Sequence, residues 1–162
     1  MSSPLLMLAS LLMLTRTLAA AAECDPDREP YRYKEFVIIK SSSSFKEATE
    51  SAAQAAAELK VRLNLRGLSP DLRTGLTLSK AECTRSALAY PCYVPRGRWD
   101  DGTYASVEWS SKYDLFPKGL YLVMIASDVP GSSSNRGMLD AARRVFPKAY
   151  AKQAKMYVGC RP

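Results

Sequence analysis

Twice along this chain an apolar run leads into a serine-rich turn and then a helix with one small, apolar face. That duplication limits the possible folds more than any other feature. The first run, Phe36-Val37-Ile38-Ile39, is short and continuous, as in a strand buried on both faces. The serines at 41–44 end it, and Ser44-Phe45-Lys46-Glu47 matches a capping box. Phe45, Ala48, Ala52, Ala55, Ala56 and Leu59 then recur at helical spacing, predicting a helix over residues 44–60. Its alanines permit close approach to a sheet. Val61-Arg62-Leu63-Asn64-Leu65-Arg66 alternates strictly, predicting a half-buried strand that Gly67 ends.

The second unit begins at residues 119–126, the strongest strand signal in the chain. Pro130-Gly131-Ser132-Ser133-Ser134 forms the turn, with Ser134 or Asn135 as the expected cap. Leu139, Ala142, Val145 and Phe146 share a helical face that Pro147 terminates. Residues 154–158 alternate as a final strand before Gly159. The order β-α-β-β-α-β predicts an α+β fold of the ferredoxin-like split β-α-β type, with its first and last strands antiparallel neighbours. A long insertion at about 68–118 separates the halves, too long for a mere connection. It carries a further strand pattern, with Thr103, Ala105, Val107 and Trp109 alternating with Tyr104, Ser106 and Glu108.

Residues 5–14 form an apolar run of signal-peptide length, and Ala19-Ala20-Ala21-Ala22 supplies small residues for cleavage after Ala22. We therefore expect a signal peptide over 1–22, an irregular leader over 23–34 and one domain over 35–162. The product would be exported, to the periplasm or beyond, with no transmembrane segment left after cleavage. All four cysteines lie after residue 22. An even count in an exported chain reads as disulfides, and Cys83–Cys92 with Cys24–Cys160 is the favoured pairing among three. There is no Cys-x-x-Cys pair and no histidine, so neither a metal site nor a cofactor is expected. The missing histidine also excludes Ser-His-Asp and Cys-His catalysis. Asp100, Asp101 and Glu108 are the remaining carboxylates suited to glycoside hydrolysis, but adjacent aspartates in a turn more often cap or face solvent. A non-catalytic role is expected.

The two half-patterns, at 35–67 and 118–159, together resemble the SPOR domain, the sporulation-related repeat. That resemblance implies a β-α-β-β-α-β fold that binds bacterial cell-wall glycan on the open face of its sheet. The insertion and the cysteines depart from it. With both helices on one side, alternation would leave Arg62, Asn64, Arg66, Tyr121, Lys155 and Tyr157 on the opposite, open face. Guanidinium and amide donors beside tyrosine rings suit a sugar, whose ring stacks while its hydroxyls accept hydrogen bonds. Trp99, in the glycine-bounded segment Arg96-Gly97-Arg98-Trp99-Asp100-Asp101-Gly102, is either a further contact residue or an anchor for the loop. Trp109 shares a face with Ala105 and Val107 and belongs in the core.

The whole chain carries 23 Lys and Arg against 16 Asp and Glu, a net +7. That charge suits peptidoglycan glycan or an anionic wall polymer. Nucleic acid is a poor partner for an exported chain without a Lys/Arg cluster. A second reading has the chain as an exported inhibitor or immunity protein that binds and blocks an envelope-targeting hydrolase.

Overall fold

The computed structural model describes residues 29–159. It is an α+β fold with a four-stranded antiparallel sheet in the order β4-β5-β1-β6. The strands are β1 (Tyr31–Ser42), β4 (Gly102–Trp109), β5 (Tyr121–Asp128) and β6 (Tyr150–Tyr157). A small hairpin, β2 (Ser69–Asp71) with β3 (Gly75–Thr77), stands apart from the sheet. The helices are α1 (Phe45–Leu59), α2 (Lys80–Arg85) and α3 (Ser133–Val145). Among the described residues, no helix is long and apolar enough to cross a membrane.

The serine turn caps α1 differently from a simple capping box. Ser44 Oγ accepts from Glu47 N at 3.3 Å, but Ser42 Oγ takes the amide of Ser44 at 3.0 Å. Glu47 instead accepts from Ser42 Oγ at 2.5 Å and pairs with Lys40 at 2.6 Å. The cap of α3 is Ser132, which accepts from Asn135 N at 3.1 Å; the expected caps Ser134 and Asn135 lie within the first turn of the helix. Asn135 then turns inward and donates to Glu35 O of β1 at 2.8 Å.

One face of the sheet packs against the helices. Val37, Ile39, Val107, Val123 and Ile125 meet Ala48, Ala52 and Ala55 of α1 and Ala142 of α3 there. The alanine face of α1 does bring it close to the sheet, as its spacing predicts.

Two differences from the sequence expectations reshape the fold. Residues 61–66 do not form a sheet strand. They make one parallel bridge, Leu63 with Ala105, along the outer edge of β4. The amides of Asn64 and Ala105 donate across that bridge to Ala105 O and Arg62 O, both at 2.8 Å. The strand beside β5 is β4, from within the stretch read as an insertion. Both segments alternate, but β4 is longer and lies close in sequence to β5, so its pairing closes a short loop. The second difference concerns the leader. β1 begins at Tyr31, and residues 31–34 pair with β6 over Tyr31↔Tyr157 to Lys34↔Ala154. Pairing with β6 orders a segment whose own composition reads as irregular.

The stretch between α1 and β4 is stapled by a Cys83–Cys92 disulfide. The predicted Cys24–Cys160 pair lies outside the described residues. The hairpin packs on the helical core through Leu76, and a Cβ on Gly75 would lie 2.2 Å from the Trp109 ring. Gly75 also has φ +75°. Gly75→Ala is therefore expected to cost about 2 kcal/mol, from left-handed strain and overpacking together. Thermal unfolding of the variant checks this, and an unchanged midpoint would contradict it.

Candidate functional site

The sheet face away from the helices is not open. Phe36, Ile38, Leu122 and Met124 on it are 0, 0, 1 and 0% exposed. Tyr113 and Phe116 cover its β1 side, with ring centroids 5.1 and 6.5 Å from Phe36. Residues 96–101 cross beside them. Gly97 permits that crossing, since a Cβ there would lie 2.8 Å from the Phe36 ring.

Over β4 the covering is polar. Arg96 is fully buried, with its guanidinium 3.6 Å from the Tyr104 ring centroid. It donates to Ser127 Oγ, Ser106 Oγ and the carbonyls of Tyr104, Met124 and Gly102. Beside it, buried Glu108 Oε2 accepts from Arg66 Nη2 and Tyr93 Oη, both at 2.5 Å. It also accepts from Tyr113 Oη and Arg96 N, both at 3.2 Å. The other two carboxylates considered for catalysis have partners as well: Asp100 accepts from Tyr104 Oη, and Asp101 pairs with Lys34.

This network has a pH consequence. Burial, reinforced by Glu108, pushes the hydroxyls of Tyr93 and Tyr113 well above their ordinary range. Their folded-state pKa values lie above the unfolded ones, so the native state holds these protons more tightly. That stability is complete below about pH 10 and lost as the pH rises beyond it. Each tyrosine lowers stability by about 1.4 kcal/mol per pH unit in that range. Urea unfolding between pH 9 and 11.5 checks the prediction; a flat profile above pH 10 would contradict it.

Of the seven expected ligand residues, two belong to this packing, a third packs on the helical side and a fourth stands apart. Arg66 is tied to Glu108 and to Val94 O, the latter at 2.9 Å. Asn64 Oδ1 accepts from Arg66 N at 3.2 Å, shaping the turn. Tyr121 faces the helical side, between Phe45 and Trp109, and donates to Gly75 O at 3.3 Å. It was expected on the opposite face. The register of β5 sets its direction, sending Leu122 and Met124 to the non-helical side instead. Arg62 is exposed, over the Tyr104 ring at 5.6 Å, and lies outside the sheet.

The other three, Lys155, Tyr157 and Trp99, come together elsewhere. Met156 and Ala154 turn toward the covered face, so Lys155 and Tyr157 point to the helical side, opposite to expectation. β5 reaches β1 only as far as Glu35, where Asn135 ties α3 down. Beyond that point β1 and β6 continue as a two-stranded ribbon. One face of it carries Tyr31 and Tyr33 opposite Tyr157 and Lys155. Tyr31, Tyr33 and Tyr157 are 43, 54 and 38% exposed.

The side chains form a row of rings and cations. Lys155 Nζ lies 5.2 Å from the Tyr31 ring, and Tyr31 meets Tyr157 edge-on at 5.4 Å. The Arg98 guanidinium lies 4.7 Å from the Tyr157 ring and 4.1 Å from that of Trp99. Trp99 Nε1 donates to Gly159 O at 3.0 Å, holding the loop against the ribbon. Such a row offers flat apolar surface with positive charge at two points.

Tyr31, Tyr33 and Arg98 were missed in the sequence. The signal was present: Tyr31 and Tyr33 alternate with Arg32 and Lys34, a strand pattern hidden by the Pro- and Asp-rich residues before it. Comparison of the chain with protein-family models, curated proteins and solved structures returns no match.

Proposed function

We propose that this is an exported, non-catalytic binding module of the cell envelope, holding peptidoglycan glycan or another wall polymer on the β1–β6 ribbon. The observation that carries the reading is the exposed group Tyr31, Tyr33, Tyr157 and Lys155 on one ribbon face, continued by Arg98 and Trp99. Stacked rings beside cationic donors are the chemistry of polysaccharide recognition. The antiparallel order β6-β1-β5-β4 supports a split β-α-β reading in which β4 serves as the second strand. On that reading, the SPOR resemblance extends to the topology, with the ligand surface moved off the covered sheet face to the ribbon.

A pull-down of the purified protein with isolated peptidoglycan tests this. Tyr33→Ala with Tyr157→Ala is expected to reduce retention at least tenfold, since one ring stacked on a ligand contributes about 1 kcal/mol or more. Arg62→Ala should bind like the unmodified protein. Equal retention of the tyrosine variant, or none by the unmodified protein, would overturn the reading.

A further inference from the structure

Two cations on the ribbon's tyrosine row, Arg98 and Lys155, have no acidic partner among the described residues, which bears on the charge of whatever binds there. On the ribbon's other face Lys34 pairs with Asp101, and beyond the ribbon Lys40 pairs with Glu47, Lys46 with Glu50 and Arg66 with Glu108. Among the described residues, Arg98 and Lys155 have no carboxylate within ion-pair distance, and their contacts are with rings. Arg98 Nε is buried without a hydrogen-bond acceptor. Asp114 accepts from the Lys155 backbone amide at 2.7 Å and forms no ion pair with its ammonium. Glu35 shares the ribbon face but sits at its inner end, beside Asn135.

A guanidinium pinned between two rings has lost rotational freedom before any ligand arrives, and its planar fork suits a carboxylate. Lys155, exposed at the other end of the row, supplies a mobile second charge. We propose that the ligand of this surface is a carboxylate-bearing polysaccharide, gripped by Arg98 and Lys155 while its rings stack on Tyr31, Tyr33 and Tyr157. This step rests on the glycan-binding reading and adds its charge.

The test pairs polygalacturonate with its fully methyl-esterified form, which keeps the sugar chain and removes the charge. Binding is read from tryptophan and tyrosine fluorescence. The acid form should bind about tenfold more tightly at low salt, as expected for hydrogen bonds to ionised groups. The advantage should shrink as salt is raised. Lys155→Gln, at an exposed position, should reduce it severalfold, and Arg98→Gln with Lys155→Gln should abolish it. Arg98→Lys, which keeps the charge without the fork, should retain part of it. An unchanged thermal midpoint shows each variant to be folded. Equal binding of the two forms, or a preference surviving in the double variant, overturns the proposal. Binding of neither form while peptidoglycan is retained also overturns it and leaves the wall-binding reading intact. Binding of neither form without peptidoglycan retention overturns both.

Discussion

Replacing Glu108 with alanine lowers the stability of the folded protein by roughly 3–5 kcal/mol, the cost of breaking a buried ion pair from one side. Glu108 is 0% exposed, and its Oε2 takes protons from Arg66, Tyr93, Tyr113 and the Arg96 amide. Without it, two arginines remain under the covering loops with no anion between them, and two tyrosine hydroxyls lose their acceptor. The arginines cannot escape by losing a proton at ordinary pH. Water must enter or the loops must lift. Glu108→Gln separates charge from shape. The amide oxygen still accepts from the tyrosines, so its loss should be smaller than that of alanine but well above zero. Urea unfolding monitored by fluorescence measures both variants. A loss below 1 kcal/mol for Glu108→Ala would show that the network contributes little to holding the loops on the sheet.

Removing the Cys83–Cys92 bridge, by Cys83→Ser with Cys92→Ser, costs about 2.7 kcal/mol from loop closure alone. The closed loop is short, with a sequence separation of 9, yet the bridge lies in a segment with little other support. Cys83 and Cys92 are 0 and 6% exposed, joining α2 to the irregular segment that follows it. The Leu78 amide donates to Cys92 O at 2.9 Å, and the Cys92 amide donates to Thr77 Oγ1 at 3.1 Å. These bonds tie the bridge to β3, whose Leu76 enters the core. Loss of the bridge should therefore loosen β2, β3 and α2 before the main sheet. Amide exchange should quicken at residues 76–92, while β1 and β5 keep their protection. Equal stability of the double serine variant, or uniform acceleration across the sheet, would contradict this.

Much of the framework was legible from local signals. The continuous apolar run in β1, the serine caps and the spaced alanines of α1 are short-range patterns that tertiary packing had no reason to override. The same holds for β5 and for the apolar face of α3, though its cap falls at Ser132 and not at Ser134 or Asn135. The candidate site was legible only in part. Lys155, Tyr157 and Trp99 were picked out, but as members of an open face that the chain in fact covers. Arg62, Asn64 and Arg66 carry the same alternation as a strand, and alternation cannot say which of two segments will occupy a sheet edge. Residues 102–109 won that position because they lie closer to β5 in sequence. The alternation in β6 was visible too, but a two-residue period leaves open which of its two faces meets the helices.

By itself, the sequence determined the extent of α1, the apolar strands and the Cys83–Cys92 staple, because each depends on residues close together along the chain. Only the tertiary structure decided that residues 96–101 and 110–118 fold over the second sheet face. It alone decided that β1 and β6 run on past the sheet as a ribbon bearing Tyr31, Tyr33, Lys155 and Tyr157. Those outcomes turn on contacts between segments far apart in sequence. The buried Arg96 and Glu108 can be accommodated only when their partners arrive together, and no local pattern encodes that meeting.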